Sequence, residues 1–351
     1  MKKRIAVIPG DGIGLEVATA AVEVLEKTAE TRGIPLEFVW FDLGAERYLR
    51  DGTSLPQSVF EDLRDHYDAI FLGALGDPRV PDQQHAHDIL LGLRTRLDLY
   101  INLRPVKLLH PDLTPLKHKT AEHLDFVIFR ENTEGLYVSM GGNFKKGTPE
   151  EVAINEMVNT RLGVERIIRA AFKYAAERGL ARVCMADKAN VLRFAHGLWQ
   201  RVFKEVAAEY PQIQARHLYA DVLAMELVRA PEDFQVIVTS NMFGDLLSDL
   251  AAQLVGGLGL APSGNLHPGR VGLFEPVHGS APPLAGKDIA NPFAMILTGG
   301  LMLEQLGWPA AGAAIESAVK ACLEAGEATK DLGGSLGTRA AGQAVAARLV
   351  G

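Results

Sequence analysis

Short runs of β-branched and aromatic residues alternate along this chain with longer segments of helical period. RIAVIPG passes into Leu15 to Glu30, where apolar residues recur every three or four positions, and LEFVWFD follows. A helical segment around Gln57 to Arg64 then leads to YDAIFLGAL. Strands separated by helix-length segments predict a parallel sheet with crossover helices. The alternation continues through YINLRPV, LDFVIFREN, a helix from Arg161 to Arg178, ARVCMAD, a helix from Phe194 to Glu209, IQARHLYA and FQVIVTS. From Phe293 onward the pattern is nearly all helix, with AMILTGGLMLEQL and AAIESAVKACLEAG read as amphipathic, and this tail is expected to pack back on the first sheet. The Gly-rich stretch GGLGLAPSGNLHPGR reads as loop and as the best place for a crossing between domains.

Composition narrows the class. A chain of 351 residues, 48% of them hydrophobic, can fill one large core or two moderate ones. With 36 basic and 43 acidic residues the net charge of -7 argues against a polyanion-binding surface, so nucleic acid is not an expected partner. Cys184 lies in the strand-like ARVCMAD and Cys322 in a helical run, which argues against a disulfide and for a reducing, cytoplasmic setting. No apolar run approaches the ~20 residues of a membrane span, and the apolar run after MKKR is too short for a secretory signal.

Chemistry concentrates at a few places. In SNMFGDLLSDLAAQL, Asp245 and Asp249 stand at i and i+4 and share one helix face. Like charges so spaced repel by a few tenths of a kcal/mol on an exposed helix, roughly, unless a cation lies between them. Oxygen ligands of this kind suit Mg²⁺ or Mn²⁺. The competing reading is a solvated acidic face, but Met242, Phe243, Leu246, Leu247 and Leu250 leave this helix little polar face. Arg94, Arg104 and Arg130 lie at or near the ends of elements, and converging guanidinium forks would hold a dicarboxylate in one orientation. Lys188 follows the strand ARVCMAD, where a partly desolvated amine can act as a general base, and Tyr137 in ENTEGLY can act as a general acid; a surface lysine and a packing tyrosine are the plainer alternatives.

GDGIG at Gly10 to Gly14, with Asp42 after the next strand, imitates a dinucleotide fingerprint. The spacing is GxGxG, however, and Asp42 lies farther on than the ~20 residues expected, so a glycine-rich turn over a cleft is the preferred reading. FEPVHGSAPPLAGKDIANP, around His278, is a long loop of the kind that usually carries function.

Taken together and in order, PGDGIG, LRTRLDLYINLRPV, RENTEGLY, DKANVL, NMFGDLLSDL and FEPVHGSAP resemble the β-decarboxylating dehydrogenases, which act on isopropylmalate, isocitrate, homoisocitrate, tartrate or D-malate. The resemblance spans almost the whole chain. It implies an α/β, isopropylmalate-dehydrogenase-like fold of three layers and two domains, neither a Rossmann fold of the usual kind: residues 1–100 plus 256–351 on the cofactor side, and 101–255 carrying the dimer interface and metal aspartates. It also implies a homodimer with shared active sites, a small hydroxy-dicarboxylate substrate, NAD, and Mg²⁺ or Mn²⁺. By the same resemblance Arg94, Arg104 and Arg130 clamp the substrate carboxylates, while Asp245 and Asp249 hold the metal with Asp221, which comes with Lys188 from the other subunit. Lys188 would take the hydroxyl proton, hydride would pass from C2 to the nicotinamide, and after loss of the β-carboxylate Tyr137 would protonate C3. Glu275, His278, Gly279, Ser280, Ala281 and Asn291 would line the cofactor, with Asn190 toward the nicotinamide. Pro283, followed by Leu284, stands where NAD-dependent relatives carry an Asp, and the Lys and Tyr that NADP-dependent relatives offer the 2′-phosphate are absent too, so NAD is expected with weak discrimination against NADP.

The C3 group is expected to be read by HAHDILLGLR, through His87, Leu90 and Leu91. The stretches GDPRVPDQQH and YVSMGG look more like the tartrate and D-malate group, so D-malate or tartrate is the leading expectation and isopropylmalate the alternative. Leu91, where an Arg would be needed, speaks against homoisocitrate. A silent regulatory subunit is the reading from another class, and retention of Lys188, Tyr137 and the aspartates opposes it.

Overall fold

The computed structural model describes residues 2–349, which divide into two compact units. Unit 1 comprises the chain up to Leu99, Lys107–Ala121 and the chain from Ala252; unit 2 comprises Tyr100–Val106 and Glu122–Ala251.

Unit 1 opens with β1 (Lys3–Gly10), α1 (Gly14–Arg32), β2 (Leu36–Trp40), α2 (Ala45–Asp51), α3 (Gln57–His66) and β3 (Ala69–Ala74). The short α4 (Gln84–Ala86), a π-helical turn over His87–Leu91 and α5 (Gly92–Arg96) complete this part. Next come β4 (Ile101–Lys107), β5 (Asp125–Glu131), β6 (Gly141–Phe144), β7 (Val152–Asn155), α6 (Arg161–Glu177), β8 (Arg182–Asp187), α7 (Ala195–Ala207), β9 (Gln214–Tyr219), α8 (Ala220–Arg229), β10 (Val236–Thr239) and α9 (Asn241–Leu254). The chain re-enters unit 1 for β11 (Pro262–Leu266), β12 (Gly272–Pro276), α10 (Phe293–Gln305), α11 (Pro309–Glu324) and α12 (Thr338–Ala347).

In unit 1 the strands lie in the order β2-β1-β3-β12-β11, parallel except for the antiparallel pair β11–β12. In unit 2 the order is β4-β5-β10-β8-β9, and β5, β10, β8 and β9 run parallel. Strands β3 and β10 are buried at every position, which is why they read as unbroken apolar runs: helices cover both faces. Filling such positions contributes about 1.5–3 kcal/mol for each fully buried Val, Leu, Ile or Phe.

Two expectations change. The Gly-rich stretch is not itself the crossing: its Pro262–Leu266 pairs antiparallel with Gly272–Pro276, which follows it in unit 1, and the chain passes between the units a few residues earlier, at 251–252. Pro and Gly in those strands hid the pattern. AMILTGGLMLEQL is not amphipathic in its setting, because α10 is buried from Phe293 to Leu303 and packs on α1, α11, β11 and β12. Its glycines permit that depth; a Cβ on Gly312 of α11 would stand 2.5 Å from Gly300 O. Cys184 and Cys322 are both buried and free, with burial pushing the Cys184 thiol up to about 12 and that of Cys322 to about 11.

Candidate active site

Parallel strands deliver their carboxyl ends to one edge, and in each unit the singled-out residues gather there. In unit 2, Arg130 at the end of β5 registers with Thr239 of β10, one residue before Ser240 and the start of α9. The pairing carries the Arg130 side chain onto α9: Nε donates to Asn241 Oδ1 at 2.9 Å and Nη1 to Asp245 Oδ1 at 2.5 Å. Arg104 of β4 approaches the same helix. Its Nε donates to Asn102 at 2.7 Å, and Nη1 donates to Ser248 and lies 3.3 Å from Asp249 Oδ1. Tyr137 Oη donates to the second oxygen of Asp245 at 3.3 Å. Both guanidinium groups are buried, whereas Asp245 and Asp249 keep part of their surface open. Partial burial raises the Asp249 carboxyl above its ordinary range, with Asp245 adding and Arg104 opposing. Burial likewise raises the Tyr137 phenol, helped by Asp245, so it stays a proton donor at neutral pH.

Lys188 and Asp221 form a second cluster in unit 2, with Lys188 Nζ 2.5 Å from Asp221 Oδ1. The ammonium holds the Asp221 carboxyl below the usual carboxylate range. The turn carrying Lys188 is pinned from beneath: its N–H donates to Nδ1 of the buried His196 at 3.0 Å, and Ala189 N donates to the buried Asp187 at 2.8 Å. Asn190 is exposed beside them. Among the described residues no three metal-capable side chains stand together, so Asp221 does not join Asp245 and Asp249 within one chain.

In unit 1, Arg94 of α5 is buried against Glu275 of β12, Nη2 to Oε1 at 2.7 Å, and Asn265 Nδ2 donates to the same oxygen at 2.9 Å. Leu90 and Leu91 are half-buried in the π-helical turn, Leu90 packing on the core cluster that contains Ile89 and Leu93, and His87 is exposed. Asp88 is occupied locally, accepting from Ser54 at 2.9 Å and Gln84 at 2.6 Å. After β12 comes the cofactor-candidate loop. His278 Nδ1 sits 3.0 Å from Gly279 O, Nε2 is buried without a partner, and burial keeps the ring below its ordinary pKa. Ser280 is buried, Gly279 is exposed, and Ala281 holds a left-handed φ of 39°, a conformation that strains a non-glycine residue. Asn291 has a structural duty as well: its Oδ1 accepts from Phe293 N at 2.9 Å at the start of α10, and Nδ2 donates to Asp331 at 2.9 Å. The GDGIG turn serves its own chain, since Ile13 N donates to Ser280 O at 2.8 Å and a Cβ on Gly12 would stand 2.0 Å from that oxygen. Asp42 is exposed and paired with Arg50 at 2.9 Å, which leaves the dinucleotide-fingerprint reading without support.

Asn102, Asn241 and Ser248, which orient the two arginines, were passed over on sequence; Asn241 and Ser248, polar beside Asp245 and Asp249 on a largely apolar helix, were the visible signal. The donor set suits the groups expected here. Two aspartates offer hard oxygens to a divalent cation, and an orphaned imidazole nitrogen in a strained Gly-Ser-Ala loop offers a polar contact to a nucleotide.

These features fit a metal-assisted dehydrogenase of hydroxy acids. The family described as Isocitrate/isopropylmalate dehydrogenase matches residues 4–345, and the chain belongs to it. It is similar to the 3-isopropylmalate dehydrogenases of Thermobifida fusca, 47% identical over 99% of this chain and 97% of that one, and of Streptomyces griseus, 46% identical over 96% and 98%. Among solved structures it is similar to isocitrate dehydrogenase from Methylococcus capsulatus, with TM-score 0.90 and 38% identity over 99% of this chain and 100% of that one. The TT0538 protein of Thermus thermophilus superposes with TM-score 0.88 at 38% identity, covering 99% of this chain and 68% of that one. The fold is that of the family, and the chain is an NAD-dependent β-decarboxylating dehydrogenase working with Mg²⁺ or Mn²⁺.

Proposed function

We propose that the chain oxidises and decarboxylates 3-isopropylmalate, as a cytoplasmic homodimer with shared active sites. What carries this over D-malate or tartrate is the likeness to relatives of that name, 47% and 46% identical along nearly the whole chain. The π-helical turn supports it: Asp88 is engaged by Ser54 and Gln84, which leaves Leu90 and Leu91 to meet an alkyl group on C3.

Charge supports the dicarboxylate class. Arg104 and Arg130 balance Asp245 and Asp249, so a divalent cation on the two aspartates leaves a surplus that a dianionic acid matches. Such a cation supplies Lewis acidity toward the hydroxyl and carboxylate oxygens. Arg94, Arg104 and Arg130 orient the acid, Lys188 as the neutral amine takes the hydroxyl proton, and Tyr137 returns a proton to C3. His278, Gly279, Ser280 and Ala281 hold the adenosine, with Glu275 and Asn291 bracing that loop and Asn190 facing the nicotinamide.

A second copy supplies the missing aspartate, since among the described residues Asp221 joins Lys188 and no three metal-capable side chains stand together. Exposed Met225 and Val228 on α8 and Leu246 on α9, with Phe144, Val152 and Ile154 on the β6–β7 hairpin, give a second copy its apolar surface. The test is initial rates on 3-isopropylmalate, D-malate, tartrate, isocitrate and homoisocitrate with NAD, with chelator and then Mn²⁺ added. The expected result is a kcat/KM highest for 3-isopropylmalate by at least about tenfold, abolished by chelation and restored by metal. A higher kcat/KM on any of the other acids overturns the substrate.

A further inference from the structure

Asp11 and His85 make a wholly buried contact that the chemistry above does not use. Asp11 Oδ2 lies 2.7 Å from His85 Nε2 and accepts from Gly76 N at 2.8 Å, while Oδ1 accepts from Ala45 N at 2.6 Å. One carboxylate therefore ties the PGDGIG turn to the exit of β3, to the start of α2 and, through His85, to the segment that enters the π-helical turn. His85 has no exposed surface and its Nδ1 meets no partner, so its one side-chain hydrogen bond is through Nε2, with the Tyr48 ring 6.2 Å away, centroid to centroid. The two preceding turn residues are constrained too: Asp82 and Gln83 hold left-handed φ of 51° and 53°, and the Gln83 amide brackets the backbone of Asp77 at 2.9 and 2.8 Å. Such strained residues persist where their surroundings over-determine them, and here the Gln83 amide ties the turn to Asp77 while the buried His85 ring ties the next turn to Asp11. On the other side, Asp11 leads directly to Gly12 and Ile13, which abut Ser280 O. A single path inside unit 1 thus joins the turn bearing His87, Leu90 and Leu91 to the loop bearing His278 to Ala281.

We propose that His85 is a positioning residue that sets the acid-reading turn through Asp11 and couples it to the cofactor loop. This rests on the reading that the turn meets the C3 group and the loop meets the nicotinamide dinucleotide. The experiment compares full-length wild type, His85→Leu and His85→Gln by initial-rate kinetics and by NADH fluorescence titration. For His85→Leu the acid KM rises about tenfold, equivalent to about 1.4 kcal/mol, and the NADH Kd rises at least about threefold. Its kcat stays within about twofold of wild type. His85→Gln, whose amide can still donate to Asp11, recovers most of both losses.

A lower Tm with both constants unchanged, or a raised acid KM with an unchanged NADH Kd, overturns the proposal. If His85→Leu does not fold, Asp11→Asn is measured by the same criteria, because it exchanges one of the two acceptor oxygens that tie Ala45, Gly76 and His85 together for a donor. The acid used is whichever one wild type turns over fastest. Wild-type rates alone therefore judge the substrate, and the variant-to-wild-type ratios judge the role of His85.

Discussion

Gly244→Ala probes the arginine–aspartate cluster without touching a charged group. Gly244 lies in the first turn of α9, directly before Asp245, and a methyl there would stand 2.5 Å from Arg130 Cγ, 2.6 Å from Cβ and 3.2 Å from Cα. Carbon atoms in good contact sit about 3.5–4.0 Å apart, so Arg130 or α9 must yield by about 1 Å. Arg130 is only 3% exposed and held to Asn241 and Asp245, so the shift falls on its guanidinium fork. The stability terms partly offset: alanine favours a helix over glycine by up to about 1 kcal/mol and overpacking costs about 1–3 kcal/mol, a net loss of no more than about 2 kcal/mol. The variant should therefore fold, with Tm lower by a few degrees at most. A misplacement of about 1 Å at an orienting group costs on the order of 10²-fold in rate. The assay is kcat/KM for the acid beside a melting curve, with Gly197→Ala as control, since a Cβ there meets only Arg201 Nη1 at 3.7 Å. A Gly244→Ala enzyme with kcat/KM within about threefold of wild type refutes the reasoning.

Leu246→Glu places a charge on the exposed apolar face of α9 and should shift sedimentation toward monomer with loss of turnover together; a fully active monomer would remove the shared-site reading. Burial holds His196 below its ordinary pKa, so the unfolded chain takes up that proton first, near pH 6.5, and the fold loses stability as pH falls from there toward the folded pKa. Melting curves from pH 7.5 to 5 should slope downward less steeply for His196→Gln than for wild type. The raised Glu131 acts in the opposite sense and cancels in that comparison; equal slopes would contradict the assignment.

Local pattern carried much of the architecture, because burial on two faces imposes apolar runs and burial on one imposes a helical period. The segments read as helices at Leu15 to Glu30 and Arg161 to Arg178 fall on α1 and α6, and the spacing of Asp245 and Asp249 alone put both on one face of α9. Ordered motifs carried the family. Contacts between residues distant in sequence had no local trace. Arg130 meets Asp245 because β5 and β10 pair in one register, and Glu275 meets Arg94 because a hairpin that Gly and Pro had disguised brings β12 beside β3. Nothing local marks Gly244 as the glycine that Arg130 packs against, and the GDGIG pattern does not show that the Asp11 oxygens meet Ala45, Gly76 and His85. A side chain's own sequence neighbourhood sets its element and its face, whereas its partners come from strand order and register, which the cooperative packing of the whole chain selects.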